Sequence, residues 1–347
     1  MTSIKFYTDR RLLLENIPNA TRFPLIDCLT THKDLESNSD FEFVENPVEC
    51  DVFLFPIAIE FLTHLGRKKD IDDFVNKAKN CNKKVLVFTA GDVGLTLKFD
   101  NVITMRLGGF HSKMKKNTII MPPFIEDPFI KINDNFKLLE KKDMPTIGFV
   151  GHANGGVLKI VKEYLIYIKL FLLRIKKNKY IDHQSFYPSS FFRHKYLKFL
   201  EKNVNIETNF IYRNQYRAGA KTEKDLEATT LEFYQNINLS PYTFCMRGMG
   251  NFSVRFYETL AMGRIPVLLD TDCKLPFSET INWDDHCLII EKKDVKNISS
   301  KLLHFHQSFS VESFKKIQAS NRLLWETYFT KYNFFIQLKQ ILMNDLK

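Results

Sequence analysis

Short apolar runs alternate with longer polar or helix-patterned stretches through the first part of the chain. Ile4 to Tyr7, Val52 to Pro56, Val85 to Thr89, Val102 to Met105 and Thr118 to Met121 read as strands. Between them, Lys69 to Asn80 sets Ile71, Phe74, Val75 and Ala78 at helical spacing. Strands interleaved with helices predict a parallel sheet with covering helices, a doubly wound α/β unit. Met121-Pro122-Pro123, Asp127-Pro128 and the charged stretch ending at Lys141-Lys142-Asp143 punctuate its end. The expected organisation is an N-terminal domain over residues 1–140 and a C-terminal domain over 141–347.

The second unit opens with an apolar run, Thr146 to Val150, followed by Gly151-His-Ala-Asn-Gly-Gly156 and a helix-periodic segment to about Lys176. That order is strand, glycine loop, helix. Such a loop can turn backbone N–H groups toward a phosphate, which makes Gly151 and His152 candidates. It matches no complete dinucleotide or P-loop pattern, so a plain turn is an equal reading. A further strand–helix–strand set runs from Tyr242 to Asp270, and Cys287 to Ile290 is strand-like. Val311 to Leu346 is helical by pattern, and these last helices are expected to pack back on the first domain.

Composition narrows this little. Hydrophobic residues at 44% and charged residues at 26% are globular values, and 32 Phe supply core. A formal charge of +10 favours anionic partners, whether sugar nucleotides, membrane surfaces or nucleic acid. The six Cys contain no C-x-x-C pair, so buried thiols in a reducing compartment are expected, with neither disulfide nor zinc. The N-terminus lacks a signal-peptide pattern, and Tyr164 to Ile175 is too short and too interrupted to span a bilayer. The expected setting is cytoplasmic, with peripheral membrane contact as an option.

The chemistry concentrates between Phe244 and Phe277. Gly248 and Gly250 make a loop, Ser253 is an N-cap residue, Val254 to Met262 a short helix and Gly263 its left-handed terminator. Strand Ile265 to Leu269 follows. Arg255 and Glu258, at i and i+3, share a face near the helix N-terminus. A sugar nucleotide asks for cations at its diphosphate, which Arg247 and Arg255 can supply, and for an acceptor at its ribose, which Glu258 can supply. The bland alternative is an Arg255–Glu258 surface pair.

Phe244-Cys-Met-Arg-Gly, Ser253-Val-Arg-Phe-Tyr-Glu258, Gly263-Arg-Ile-Pro-Val, and Leu275-Pro-Phe277 with Trp283 resemble the C-terminal half of the exostosin family of glycosyltransferases. Asn46 to Pro56, Ile120-Met-Pro-Pro123 and Ile147-Gly-Phe-Val-Gly151 are similar to the family's earlier segments and fall in the same order. The resemblance implies an α/β GT-B architecture: two Rossmann-like domains facing a central cleft, acceptor on the first and donor on the second. It also implies an inverting enzyme, a UDP-sugar donor and no obligatory metal or other cofactor. Carried over, Glu258 would hold the ribose, while Arg247, Ser253 and Arg255 would shape the diphosphate site. The partners implied are a nucleotide-sugar and a glycan acceptor. The family's eukaryotic members carry a membrane anchor, whereas this chain shows none, so bacterial or viral glycan assembly is the setting expected. Met246 stands where the family commonly has Pro.

Other residues enter by position. Arg213 to Lys221, containing Arg217, reads as a loop able to close over donor phosphates. Inverting transfer needs a general base from the first domain. Asp92, after the Val85 strand, is the leading candidate, with His111 and Asp9 as rivals. Arg106, at another strand end, is placed to meet an acidic acceptor group, and Asp9 is also assigned to the acceptor side. Asp270-Thr-Asp272 supports a competing, metal-dependent reading, since hard cations take carboxylate oxygens. The Glu, seven residues, Glu pattern of retaining enzymes is missing, because with Glu258 as the second Glu the first position is Gly250. Basic runs such as Arg174 to Lys179 leave a nucleic-acid-binding protein as a different class, though no recognised motif accompanies them and no nucleic-acid partner is expected. A glycan-binding protein without turnover is a third.

Overall fold

The computed structural model describes residues 3–13, 21–31, 40–177 and 180–345. The strands are β1 (Ile4–Tyr7), β2 (Phe41–Phe43), β3 (Val52–Leu54), β4 (Lys84–Thr89), β5 (Val102–Arg106), β6 (Thr118–Ile120), β7 (Thr146–His152), β8 (Glu207–Arg213), β9 (Tyr242–Cys245), β10 (Ile265–Asp270) and β11 (Leu288–Glu291). The α-helices are α1 (Pro24–Thr31), α2 (Ile59–His64), α3 (Lys68–Asn80), α4 (Pro128–Ile132), α5 (Val157–Lys177), α6 (Ser189–Glu201), α7 (Glu223–Leu239), α8 (Val254–Ala261), α9 (Ile298–Gln307), α10 (Val311–Tyr328) and α11 (Lys331–Asp345).

Two parallel sheets result, ordered β2-β1-β3-β4-β5-β6 and β11-β10-β9-β7-β8. Every strand pairing is parallel. These are two Rossmann-like sheets, as expected for the chain. In both sheets the first strand lies between the second and third, so the direction of winding reverses there. In open α/β sheets ligands settle outside the carboxyl ends of the strands at such a reversal. For the second sheet that crevice is bounded by the loops after β7 and β9, the two segments whose glycines stand out in the sequence.

The strands are apolar because both faces are covered: β3, β4 and β5 are buried almost throughout. Leu86, Phe88, Ile103 and Met105 of the first sheet share a core with Phe256, Tyr257, Trp283 and Phe329 of the later chain. Phe334, Phe335, Leu338 and Leu342 of α11 belong to the same core, beside Phe23 and Leu25, so the last helix lies on the first unit. Residues 180–184 also cross over: Ile181 bridges Leu95, and the Thr96 N–H donates to the Tyr180 carbonyl at 2.9 Å. The halves of the sequence are therefore interlaced at two places. All six cysteines are free thiols.

Candidate active site

The loop after β9 begins with Arg247 and leads into α8. That helix is closed as its sequence dictates: Gly263 has φ +62°, its N–H donates to the Leu260 carbonyl, and the Arg264 N–H to that of Thr259. This is a Schellman ending. The start differs from expectation, because Ser253 occupies the N-cap position but its hydroxyl makes no capping bond. Ser253 is buried and faces a cavity of about 20 Å³ bordered by Arg247, Asn251, Thr271 and Lys274, room for roughly one water. A hydroxyl that caps nothing remains available to that cavity.

Arginines gather at the switch point. The Arg255 Nη2 donates to the Val150 carbonyl at 2.6 Å, with its guanidinium 4.3 Å from the Phe149 ring and 5.4 Å from that of Phe233. Arg193, from α6, donates to the His152 carbonyl at 2.6 Å and to the Arg247 carbonyl at 3.2 Å. Arg247 donates to Gln184 Oε1 at 3.0 Å and the Met249 carbonyl at 2.7 Å, between the rings of Tyr187 and Phe110. None of the three forms an ion pair among the described residues. In each the Nε is buried without a hydrogen-bond partner, as are His152 Nε2 and the Tyr187 hydroxyl.

Burial and the neighbouring charge of Arg255 push Arg193 down to about 10. Burial likewise lowers Arg247 and Arg255, and burial, with Lys159 and Arg193 adding to it, lowers His152. Arg264 provides the contrast: more deeply buried, it donates Nε and both Nη groups to Asn238 and the Lys137 carbonyl. Leaving buried cations unpaired is costly. Each of the three keeps its Nε in reserve, and although the charges of Glu163 and Glu258 reach Arg193 and Arg255, the cluster is shaped for an anion with several oxygens.

Glu258 lies one turn beyond Arg255 on α8 and accepts from the Tyr234 hydroxyl at 3.2 Å. Gly151 has an extended φ of +157°, and a Cβ there would stand 2.9 Å from Arg255 Nη2; the glycine lets the guanidinium lie against the strand end. Gly248 has nothing within 4 Å of where its Cβ would be. Thus Gly151, His152, Arg247, Gly248, Ser253 and Arg255 come together around the β7 and β9 ends, with Glu258 alongside.

Of the other basic candidates, Arg213 is the last residue of β8, in register with His152 of β7; its Nη2 donates to Glu232 and the Thr229 carbonyl on α7, its Nε is buried without a partner, and its charge reaches Arg255. Lys221 is exposed immediately before α7. The Arg217 side chain lies outside the described residues. So do the side chains of the Arg174 to Lys179 run.

Across the cleft, Asp92 is exposed in the loop after β4. Its carbonyl presses on Gly250, where a Cβ would stand only 2.1 Å from it. Arg106 corrects the expectation that it meets an acceptor. It is 2% exposed and fully engaged, with Nη1 to Asp182 Oδ2 at 2.6 Å, Nε to the Gly108 carbonyl at 2.6 Å and Nη2 to the Val93 carbonyl at 3.2 Å. Its effect is to hold the residue after Asp92. Gln184, the acceptor for Arg247, donates to the same Val93 carbonyl at 3.4 Å. Asp9 caps a single turn and accepts from Arg11, whose guanidinium lowers its carboxyl. His111 is exposed, and its backbone N–H donates to the Asp272 carbonyl at 2.8 Å.

Two residues escape the sequence reading altogether. Arg193 sits in a helix whose sequence carries no motif; only the neighbouring aromatics, Phe191 and Phe192, set it apart from a surface arginine. Asn251 is 1% exposed, and its amide donates to the carbonyls of Gly109, Thr271 and Asp272 while its oxygen accepts from the Thr271 hydroxyl. It pins the loop between β9 and α8 to the first unit. The carboxylates of the metal reading are also occupied: Asp270 Oδ1 accepts from the Cys273 N–H at 2.9 Å, and Asp272 accepts from the Ser112 N–H and hydroxyl.

The sequence profile of the Exostosin GT47 domain matches residues 183–304. That stretch contains the α6 arginine, the β9 loop, α8 and β10. Bovine exostosin-1 is 34% identical over 90 residues, covering 25% of this chain and 12% of that protein. The exostosin-1 homolog of Caenorhabditis elegans is 35% identical over 92 residues, 26% of this chain and 23% of the relative. The chain therefore spans well under a quarter of the bovine relative. Among solved structures, sucrose-phosphate synthase from Thermosynechococcus elongatus overlaps 99% of this chain and 98% of its own, at 9% identity and a TM-score of 0.36.

Proposed function

We propose that this chain, an exostosin-family protein over residues 183–304, is a glycosyltransferase that moves a sugar from a nucleotide-sugar to a hydroxyl of a glycan acceptor. A UDP-sugar donor, inversion and independence from a metal complete the reading. The observation that carries it is the set of buried, unpaired Nε atoms on Arg193, Arg247 and Arg255 at the switch point of the second sheet.

As the sugar departs, negative charge grows on the nucleoside diphosphate. Fixed guanidinium donors in a poorly hydrated site stabilise that charge without reorganising. Arg193, Arg247 and Arg255 take this role, with the Ser253 hydroxyl beside them. Glu258 accepts the ribose hydroxyls. Inversion requires the acceptor hydroxyl to attack from the face opposite the leaving group, so its base must come from across the cleft. Asp92, facing the donor loop, is that base. Arg106 and Gln184 hold the Asp92 loop through Val93, which links the position of the base to Arg247.

Calorimetric titration with UDP, GDP, CMP and inorganic pyrophosphate tests the reading. A nucleoside diphosphate should bind, with UDP tightest, and a folded protein that binds none of the four would overturn it. Transfer should survive EDTA. Loss on chelation and recovery with Mn²⁺ would favour the carboxylates of Asp270 and Asp272 instead.

A further inference from the structure

We propose that α5 is a membrane-docking element that lies in the headgroup region of an anionic lipid bilayer. The helix is 21 residues long with the sequence VLKIVKEYLIYIKLFLLRIKK, yet none of its residues from Val157 to Leu172 is buried. Leu158, Tyr164, Ile166 and Leu170 are exposed too, with Ile166 and Leu170 on the opposite side, but five exposed apolar side chains line up. Val157, Val161, Leu165, Ile168 and Leu172 recur every three or four positions and are 70%, 52%, 62%, 36% and 53% exposed. They form one continuous stripe down the helix. Monomeric soluble proteins rarely leave such a stripe open to water.

The rest of the helix names the occupant. Its inner face is already covered, with Tyr167 against Phe186 and Phe171 against His183. Lys162 and Lys169, seven residues apart, are exposed along one margin of the stripe. The helix sequence carries six Lys or Arg and a single acid. That acid, Glu163, lies on the far side, 4.0 Å from Lys159. An apolar stripe edged by cations is complementary to acyl chains beneath anionic headgroups. No described helix is long and apolar enough to cross a membrane, so the helix lies along the surface. The charge pattern rather than any donor chemistry carries this, and it stands whether or not the chain transfers sugars.

Sedimentation of the full chain with vesicles of phosphatidylcholine, with and without phosphatidylglycerol, tests it. The protein should bind the anionic vesicles and not the neutral ones, with binding weakened by salt. Leu165→Asp with Ile168→Asp should abolish binding, while Lys162→Ala with Lys169→Ala should weaken it roughly twentyfold. Both variants replace exposed side chains only, so circular dichroism and an unchanged thermal unfolding midpoint serve as the folding control. Absence of binding to anionic vesicles, or equal binding to neutral ones, would overturn the proposal. So would a concentration-dependent dimer in analytical ultracentrifugation that Leu165→Asp dissociates, since a second copy would then own the stripe.

Discussion

Arg264 and the cluster of Arg193, Arg247 and Arg255 differ in how far their guanidinium groups are satisfied, with Arg213 between them, ion-paired to Glu232 yet with a buried unpaired Nε. Arg264 is among the most deeply buried side chains, and protein carbonyls satisfy its guanidinium, so its removal costs stability. Arg193, Arg247 and Arg255 retain unpaired donors, so their removal should cost ligand affinity. Arg193→Ala is expected to weaken UDP binding tenfold or more by calorimetry, the scale of one charge-assisted contact. Arg193→Lys should recover only part, since an ammonium lacks the guanidinium fork. Unchanged affinity in a folded Arg193→Ala protein would remove it from the site. If, as proposed, its carboxylate addresses the ribose, Glu258→Gln should also weaken UDP roughly tenfold while leaving inorganic pyrophosphate untouched. Equal losses for both ligands would reassign Glu258 to shaping the diphosphate site. Arg247, Arg255 and Glu258 were legible in the sequence because one short motif fixes their spacing. Arg193 was not, since its value comes from α6 packing beside β7, a contact of high sequence separation.

At the scale of elements, the loop between β9 and α8 shows why two similar glycines are not equivalent. The space around Gly248 is open, whereas a methyl group on Gly250 would collide with the Asp92 backbone. Gly248→Ala should therefore leave thermal stability and transfer near normal. Gly250→Ala should force the loop from the first unit, costing about 1–3 kcal/mol by denaturant unfolding and lowering kcat while nucleotide affinity persists. Similar behaviour of the two variants would contradict the close approach. The strands β1, β3 to β7 and β9 to β11, with α3, α8 and the strand-to-helix order around the site, follow from apolar periodicity. The strands β2 and β8 do not. β2 is a three-residue edge strand and β8 is half-buried along its length, so neither shows the apolar run by which buried strands are read. The same half-burial explains why Arg213 read as part of a phosphate loop: it is the strand's last residue, turned toward α7.

The whole molecule is described in a closed arrangement. Asn251 reaches Gly109, Ser112 reaches Asp272, and Phe110 pairs with Cys273 across the cleft, while the enclosed cavity has room for little more than a water. Pockets that hold nucleotide-sized ligands are many times larger, so on the proposed reading this cavity must widen to admit the donor. This geometry separates binding from chemistry. On the proposed reading the donor's contacts come from the second sheet, whereas the base, Asp92, comes from the first. Asp92→Asn should accordingly leave UDP affinity within about twofold of the parent by calorimetry, yet remove most transfer to the acceptor, a loss on the order of a hundredfold or more for a general base. The substitution keeps the side chain's size, and the Asp92 backbone contact with Gly250 is unaffected, so closure is preserved. Near-normal transfer by a folded Asp92→Asn protein would exclude it as the base. If His111→Ala then bound donor normally but failed to transfer, the proton would pass to His111, which stands on the same side of the cleft.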